Sequence, residues 1–185
     1  MQDVAEAVSH IEASIRPQII FRRCPVDFST RYDEVLNQYK DIIVPIDPIW
    51  NVPNATQNWG VYFPKKEDIS LQVNLAFHCE AVVNLGSTMA HDFAMFNKPC
   101  FYYNYDPVAD KNWSVKTIYN YQHFRSMEGL DAVGWLHSKE SIQKELEKVI
   151  GNEKVEGKDR KLWLQRIVLH PVNQASKNIA QLLNN

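Results

Sequence analysis

One stretch of the chain constrains its fold more than any other: AVVNLGSTMAHDFAMFNKPCFYYNYD, from Ala81 to Asp106. It opens with an apolar, strand-like run and passes through Gly86-Ser87-Thr88 into a helix-like pattern. It then returns to an apolar and aromatic run at residues 100–103. A strand, a tight turn, a helix and a second strand in this order form a βαβ unit, which belongs to a parallel sheet. The stretch therefore predicts an α/β fold.

Apolar runs and amphipathic patterns alternate along the rest of the chain in the same way. The predicted elements are helix 3–15, strand 19–21, helix 30–39, strand 42–44, helix 68–79, strand 81–84, helix 88–97, strand 100–103, a weak strand 132–133, a helix capped by Ser138, and helices 160–169 and 172–183. Residues 45–64 and 106–129 are predicted as loops. The apolar stripe of helix 68–79 consists of Ile69, Val73, Leu75 and Ala76. With 185 residues, the pattern predicts one Rossmann-like domain, a parallel sheet flanked by helices, ending in a C-terminal helix within 171–185.

Composition excludes several classes of partner. The formal net charge is −2, which gives no electrostatic reason to expect nucleic acid. No apolar run is long enough for a membrane span, and the first residues do not resemble a signal peptide. Three scattered cysteines, Cys24, Cys79 and Cys100, do not make a disulfide framework, and their odd number indicates a reducing compartment. The sequence predicts a cytoplasmic protein.

The Gly86-Ser87-Thr88 junction is the strongest candidate for a binding site. Ligands of parallel sheets bind where the carboxyl ends of strands meet helix N-termini, and unpaired amides there attract anions. Gly86 allows a close approach of backbone, and the hydroxyls of Ser87 and Thr88 add donors, which suits a phosphate. The structural alternative is that Ser87 only caps the helix and Gly86 only makes a turn.

Helix spacing adds two further candidates. Residues four apart share a face, so His91 follows Ser87 and Asp92 follows Thr88. A carboxylate about one turn, ~5.4 Å, beyond the hydroxyls suits the hydroxyls of a ribose. The alternatives are a solvated carboxylate for Asp92 and a surface histidine for His91.

Other side chains could reach the same edge of the sheet. Arg22 follows a strand and could add bidentate phosphate contacts, or it could be an ordinary surface charge. His123, in the loop after strand 100–103, could contact a ligand in the cleft, or it could be structural. Trp50, Trp59 and Trp113 could stack on a base or a sugar, although such residues more often fill cores.

A metal site is not expected. His78, Cys79 and His91 are the nearest grouping of possible ligands, and their spacing matches no zinc pattern.

Residues 79–106 resemble the donor-binding segment of glycosyltransferases with two facing Rossmann-like domains, the GT-B fold. In that family an apolar strand leads through a Gly/Ser-Ser/Thr turn into a helix with an acidic residue, then Gly/Asn-Lys-Pro and another strand. The run IIFRRCP, Ile19–Pro25, is similar to a strand-Arg-Pro-His-Pro stretch of bacterial glycerophosphate transferases and UDP-GlcNAc 2-epimerase-like proteins. Arg23 and Cys24 stand where that pattern has Pro and His.

The resemblance implies a function and site residues. Gly86, Ser87, Thr88 and Arg22 would hold the diphosphate of a nucleotide-sugar donor, with UDP as the commonest carrier, and Asp92 would hold the ribose. His91 and His123 are possible further contacts. No metal or other cofactor is implied, because a helix terminus and basic side chains neutralise the leaving diphosphate in this fold. The implied context is bacterial polysaccharide biosynthesis.

The resemblance also implies a missing part. The chain lacks the strand expected before its first helix and the N-terminal domain that binds the acceptor. It is therefore predicted to be a fragment without transferase activity, whose only membrane association would run through the missing part. Two alternatives stay open: a polyol-phosphate transferase domain of the CDP-glycerol type, and a non-catalytic Rossmann-like nucleotide-binding or scaffold module.

Overall fold

A computed structural model describes residues 1–52, 61–110, 112–153, 155–168 and 172–184, and these form a mixed α/β structure with parallel sheets flanked by helices. The helices are α1 (Gln2–Ser9), α2 (Asp33–Gln38), α3 (Lys66–His78), α4 (Met89–Met95), α5 (Val115–Tyr119), α6 (Gln122–Arg125), α7 (Lys139–Ile150), α8 (Arg160–Ile167) and α9 (Ala175–Leu183), with a 3-10 turn at Val172–Gln174. The strands are β1 (Ile19–Arg22), β2 (Ile43–Ile46), β3 (Trp50–Asn51), β4 (Phe63–Pro64), β5 (Val82–Asn84), β6 (Cys100–Tyr103) and β7 (Gly134–Leu136).

The described chain divides into two compact units. The first contains Met1–Cys79 and Ser138–Glu153, and the second contains Glu80–His137 and Lys154–Asn185. We describe each unit by itself. The expectation of one domain stays a prediction. Two compact units in a structure do not establish whether those units unfold together or separately.

The first unit holds β1 and β2 as a parallel pair and β3 and β4 as a short antiparallel pair. Helix α1 packs against α7 because its apolar residues recur at helical spacing and bury Val4 and Val8. Ile142 of α7 is fully buried. Ser138 is the N-cap of α7, as predicted, and forms a capping box with Ser141.

The second unit is built on a three-stranded parallel sheet with the order β5-β6-β7. Val83 pairs with Phe101, and Phe101 pairs in turn with Gly134. A Cβ at Gly134 would lie 2.6 Å from Cε1 of the Phe101 ring, so this pairing requires glycine. The predicted βαβ unit is thus confirmed as β5-α4-β6.

One face of this sheet carries the core of the second unit. Tyr102 is fully buried there, and its ring meets Phe124 and Trp163 edge-on. The remaining buried members of this cluster are Ala90, Cys100, Met127, Ala132 and Val133. Side chains of α5, α6 and α8 pack on this face of the sheet. Within the described ranges, no helix is both long and apolar enough to cross a membrane.

Four predicted elements differ clearly from the observed ones. The weak strand predicted at 132–133 is observed at Gly134–Leu136. The first helix ends at Ser9 rather than residue 15. The loop predicted at 106–129 contains α5 and α6. The loop predicted at 45–64 includes β3 and β4, and its residues 53–60 lie outside the described part of the chain.

Helix α3 buries only part of its predicted apolar stripe. Leu75 and Ala76 are buried, as predicted, whereas Ile69 and Val73 are 56% and 52% exposed. The remaining buried residue of this helix is Asp68. The carboxylate of Asp68 therefore occupies a buried position on this helix.

Candidate functional site

The carboxyl edge of the β5-β6-β7 sheet gathers polar residues from three strand ends. All three strands are parallel, so their carboxyl ends meet at one edge. Gly86-Ser87-Thr88 follows β5, Asn104 follows β6 and His137 follows β7. In open α/β sheets this edge is where ligands bind. The sequence prediction that the Gly86–Thr88 junction lies at such an edge is therefore consistent with the observed topology.

Gly86 adopts a conformation that favours glycine. Its φ is +58°, in the left-handed region. A Cβ at this position would collide with Cγ2 of Ile118 and lie 3.3 Å from the Phe124 ring. The close approach that Gly86 permits is thus to side chains of the protein itself, which fixes the turn against α5 and α6.

Ser87 stabilises the turn through four hydrogen bonds. Its amide donates to Asn84 Oδ1 at 3.0 Å, and its hydroxyl accepts from the Met89 amide at 3.2 Å. Its carbonyl accepts from the hydroxyl of Tyr102 at 2.6 Å. The Ala90 amide also donates to this carbonyl. These contacts give Ser87 a structural role in the turn before α4, whose N-cap residue is Thr88, and the amides of Ser87 and Met89 are already engaged.

Thr88 differs from its neighbours because it is exposed and its amide is unengaged. Neither the amide nor the hydroxyl of Thr88 bonds to another residue in the described part of the chain. Its carbonyl accepts from the His91 amide at 2.9 Å, which begins α4. Asp92 lies one turn further along α4 and is half-buried. Thr88 therefore offers two donors at the edge of the sheet.

His91 packs towards the interior of the second unit. Its ring lies on that of Trp163 from α8, with centroids 4.2 Å apart. Its Nδ1 atom is buried and has no hydrogen-bond partner among the residues described. Burial lowers the pKa of His91 below its ordinary value, because the charged form loses hydration. The contact with Trp163 accounts for His91 without a ligand.

This burial predicts a pH dependence of stability. The pKa of His91 is 6.5 in the unfolded chain and lower in the folded one, so the unfolded state takes up the proton first. Neutral His91 therefore contributes fully above about pH 6.5, and the contribution is lost as the pH falls through the folded pKa. Urea unfolding between pH 5 and 8 should show a loss of stability on the acid side that His91→Phe reduces. The exposed His123→Phe is the control, and an equal pH dependence in both variants would contradict the assignment.

Arg22 belongs to the first unit and is engaged in an ion pair. Its Nη2 atom donates to Asp68 Oδ2 at 2.7 Å. Asp68 also accepts from the amide of Ile49 and from the indole Nε1 of Trp50, each at 2.8 Å. Burial would raise the pKa of Asp68, but these three donors outweigh it and hold the pKa below its ordinary value. This network explains how α3 can bury a carboxylate, and it gives Arg22 and Trp50 structural partners.

His123 lies on α6 beside the Gly86 turn. Its neighbour Phe124 is the ring that packs beneath Gly86, and the imidazole itself is exposed and stacks beside Tyr121. Trp113 is 43% exposed, and Trp59 lies outside the described residues. The placement of His123 agrees with the predicted carboxyl side of the sheet, while its role as a ligand contact stays a prediction.

Asn104 and His137 are two candidates that the sequence reasoning missed. The Nδ2 atom of Asn104 and the Nδ1 atom of His137 are 3.2 Å apart. When the Asn104 amide donates to Nδ1 of His137, the proton of the neutral imidazole lies on Nε2. Nε2 is then a hydrogen-bond donor at the edge of the sheet. These residues are 33 positions apart, so only the pairing of β6 with β7 brings them together.

The thiols and carboxylates offer little further chemistry. All three cysteines are free thiols, and burial raises the pKa of Cys100 far above its ordinary value. In the part of the chain that the structure describes, no group of three or more His, Cys, Asp or Glu side chains could hold a metal ion.

The chain was also compared with known proteins. No family model, no curated protein and no solved structure matches it. The case for a function therefore depends on the residues of the site and on the resemblance of the Gly86–Asp92 segment.

Proposed function

We propose that this chain is the donor-binding half of a GT-B type glycosyltransferase that uses a nucleotide-sugar, with UDP as the carrier. The observed βαβ unit and the parallel order β5-β6-β7 support a Rossmann-like fold. The GT-B assignment draws its support from the resemblance of residues 79–106. Transfer of the glycosyl group to an acceptor would need the second domain that the resemblance implies.

One observation carries the proposal. Thr88 presents an amide and a hydroxyl, both without partners among the described residues, at the carboxyl edge of a parallel sheet. Donors at this edge suit the oxygens of a diphosphate, and a preorganised donor stabilises the charge that develops on a leaving group. No other residue of the Gly86–Thr88 turn has both donors available.

The other residues of the proposed site would have different roles. Gly86 and Ser87 shape the turn, Thr88 donates to the diphosphate, and Asp92 accepts from the ribose. Arg22 lies in the first unit and is paired with Asp68, so its phosphate contact stays what the resemblance implies. His91 packs on Trp163, so its contribution to a donor would be indirect.

Thr88→Val tests this proposal directly. The substitution keeps the shape of the side chain but removes the hydroxyl, and a hydrogen bond to a charged group contributes about 1.5–3 kcal/mol. We expect the Kd for UDP, measured by isothermal titration calorimetry, to rise about 10- to 150-fold. The thermal midpoint without ligand should change little, because the Thr88 hydroxyl makes no hydrogen bond to the described residues.

Thr117→Val is the matched control, because Thr117 is an exposed threonine on α5. It should leave UDP affinity unchanged. Equal affinities for the wild type and Thr88→Val would remove Thr88 from the donor site. A parallel thermal-shift series with UDP, CDP and GDP would identify the base, and a response to CDP alone would favour the polyol-phosphate alternative.

A second candidate function is favoured by the internal bonds of the turn. The amides of Ser87 and Met89 already have partners, as in a Rossmann-like scaffold module that binds no nucleotide. The absence of a thermal shift with all three nucleotides would favour this alternative. Sugar transfer by the isolated chain would contradict the prediction that an acceptor domain is missing.

A further inference from the structure

The parallel pair β1–β2 of the first unit is small for a parallel sheet. Its two strands pair only with each other in the part of the chain that the structure describes. Parallel sheets usually contain more strands and are covered on both faces, and an isolated two-stranded sheet is only marginally stable in water. Here Ile20 and Val44, which lie opposite each other in register, are 41% and 39% exposed. The pair therefore has the features of the margin of a larger sheet.

The outer edge of β2 is closed to a further strand. The Ile42 carbonyl accepts from the Ile19 amide at 2.9 Å, so residue 42 faces β1. Backbone groups point alternately to the two sides of a strand, so positions 43 and 45 face outwards. The Ile43 amide already donates to the carbonyl of Tyr39 at 2.8 Å, and Pro45 has no amide hydrogen. Proline at an outward position is a usual means of blocking the edge of a sheet.

The outer edge of β1 is open. Because the Ile19 amide faces β2, the amides and carbonyls of Ile20 and Arg22 point outwards by the same alternation. Within the described ranges, neither of these two amides donates a hydrogen bond. The strand contains no proline, and its one charge, on Arg22, is neutralised by the ion pair with Asp68. An edge strand without proline or a free charge is a template for pairing with another strand.

The sequence around β1 is complementary to itself. When a second copy lies antiparallel with Ile20 opposite Ile20 of the partner subunit, Arg22 lies opposite Gln18 of the partner subunit. In this register the outward amides and carbonyls exchange hydrogen bonds in pairs. No two like charges are opposed, and the two isoleucines continue the exposed apolar strip that begins at Val44. An antiparallel strand at the edge of a parallel sheet is a common arrangement, so a second copy of this chain suits the β1 edge.

We propose that two copies of this chain pair antiparallel through β1, about a two-fold axis, to form a four-stranded sheet with the order β2-β1-β1-β2. Because Pro45 closes the outer edge of β2, no further copy can add to this sheet, and the assembly ends at a dimer. The contact is short, which places the dimer among the weak complexes that bury less than about 1,200 Å². The proposal is independent of the proposed function, because β1 belongs to the first unit and the Gly86 turn to the second.

Sedimentation velocity over a series of protein concentrations tests the dimer. The wild type should shift from monomer to dimer as its concentration rises. Ile20→Lys places two ammonium groups opposite each other at the two-fold axis, and it should raise the Kd of the dimer about tenfold or more. Val44→Lys is the matched control, because Val44 is similarly exposed on the same face but lies one strand away from the axis. It should keep the wild-type Kd, and circular dichroism should show that both variants are folded.

A charge swap distinguishes pairing at the axis from a general effect of added charge. At a concentration near the wild-type Kd, Ile20→Lys alone and Ile20→Glu alone should be mainly monomeric. An equimolar mixture of the two should recover the dimer, because opposite charges then face each other across the axis. A mixture that stays monomeric, wild-type affinity in Ile20→Lys, or equal weakening by Val44→Lys overturns the proposal. A wild type that stays monomeric at every concentration also overturns it, and the open edge would then suit a strand from a different protein.

Discussion

Asp68→Asn is expected to lower the free energy of unfolding by about 3–5 kcal/mol, the effect of breaking a buried ion pair. Asp68 is 1% exposed and its partner Arg22 is 12% exposed, so the guanidinium would lose its counter-charge away from water. The amide that replaces the carboxylate also has one acceptor oxygen where the structure uses both, for Ile49, Trp50 and Arg22. Urea denaturation at pH 7 measures the change.

Glu67→Gln is the matched control for Asp68→Asn, because Glu67 is the exposed neighbour on the same helix. It should change stability by no more than about 0.5 kcal/mol. The difference between the wild type and Asp68→Asn should also shrink in acid. The pKa of Asp68 is lowered on folding, so its contribution is lost as the pH falls through the folded value.

The same experiment decides between two roles for Arg22. A large loss of stability in both Asp68→Asn and Arg22→Gln would show that the Arg22 guanidinium stabilises α3 through its ion pair with Asp68. A stable Arg22→Gln variant with weakened UDP binding would restore the phosphate role that the resemblance implies. Stability unchanged in both variants would contradict the importance of the network.

Trp163→Ala should destabilise the protein by a similar amount, about 3–5 kcal/mol, as is usual when a buried aromatic side chain is truncated. Trp163 is 1% exposed, packs against His91 with the rings tilted by 52°, and meets the ring of Tyr102 edge-on. The substitution also removes the partner of the Ser126 hydroxyl. Chemical denaturation followed by far-ultraviolet circular dichroism measures the loss.

Leu162→Ala on the same helix is the control for Trp163→Ala, because Leu162 is 48% exposed. It should cost less than about 1 kcal/mol, since less apolar surface is removed from a buried environment. Equal losses of stability in the two variants would contradict the view that Trp163 is the main contact of α8 with the core. Trp163→Phe should fall between them, because it keeps ring packing and loses the indole donor.

The fold could be predicted from sequence where patterns are local. The strand, turn and helix from Ala81 to Tyr103 lie within one stretch of chain, and the structure confirms β5, α4 and β6 there. Helices α5 and α6 were missed because each is too short to show a helical period. Half of the apolar stripe predicted for α3 is buried, but Ile69 and Val73 are exposed. Asp68 is buried as well, through partners on β1 and around β3, which the pattern of α3 itself does not contain.

The candidate site was predictable to a similar extent. The spacing of Gly86, Ser87 and Thr88 located the turn, but it did not show that the Ser87 amide is already used by Asn84, which leaves the donors of Thr88 available. The Asn104–His137 pair depends on the register of β6 and β7. A single sequence does not reveal such a register, because the two residues are distant along the chain.

The hydrogen bond from Tyr102 to the carbonyl of Ser87 joins the turn to the middle strand of its sheet. Burial raises the pKa of this phenol well above its ordinary value, so the hydroxyl keeps its proton at every physiological pH. The backbone of the turn is thus held to the sheet by a hydrogen bond that a fall in pH would not break.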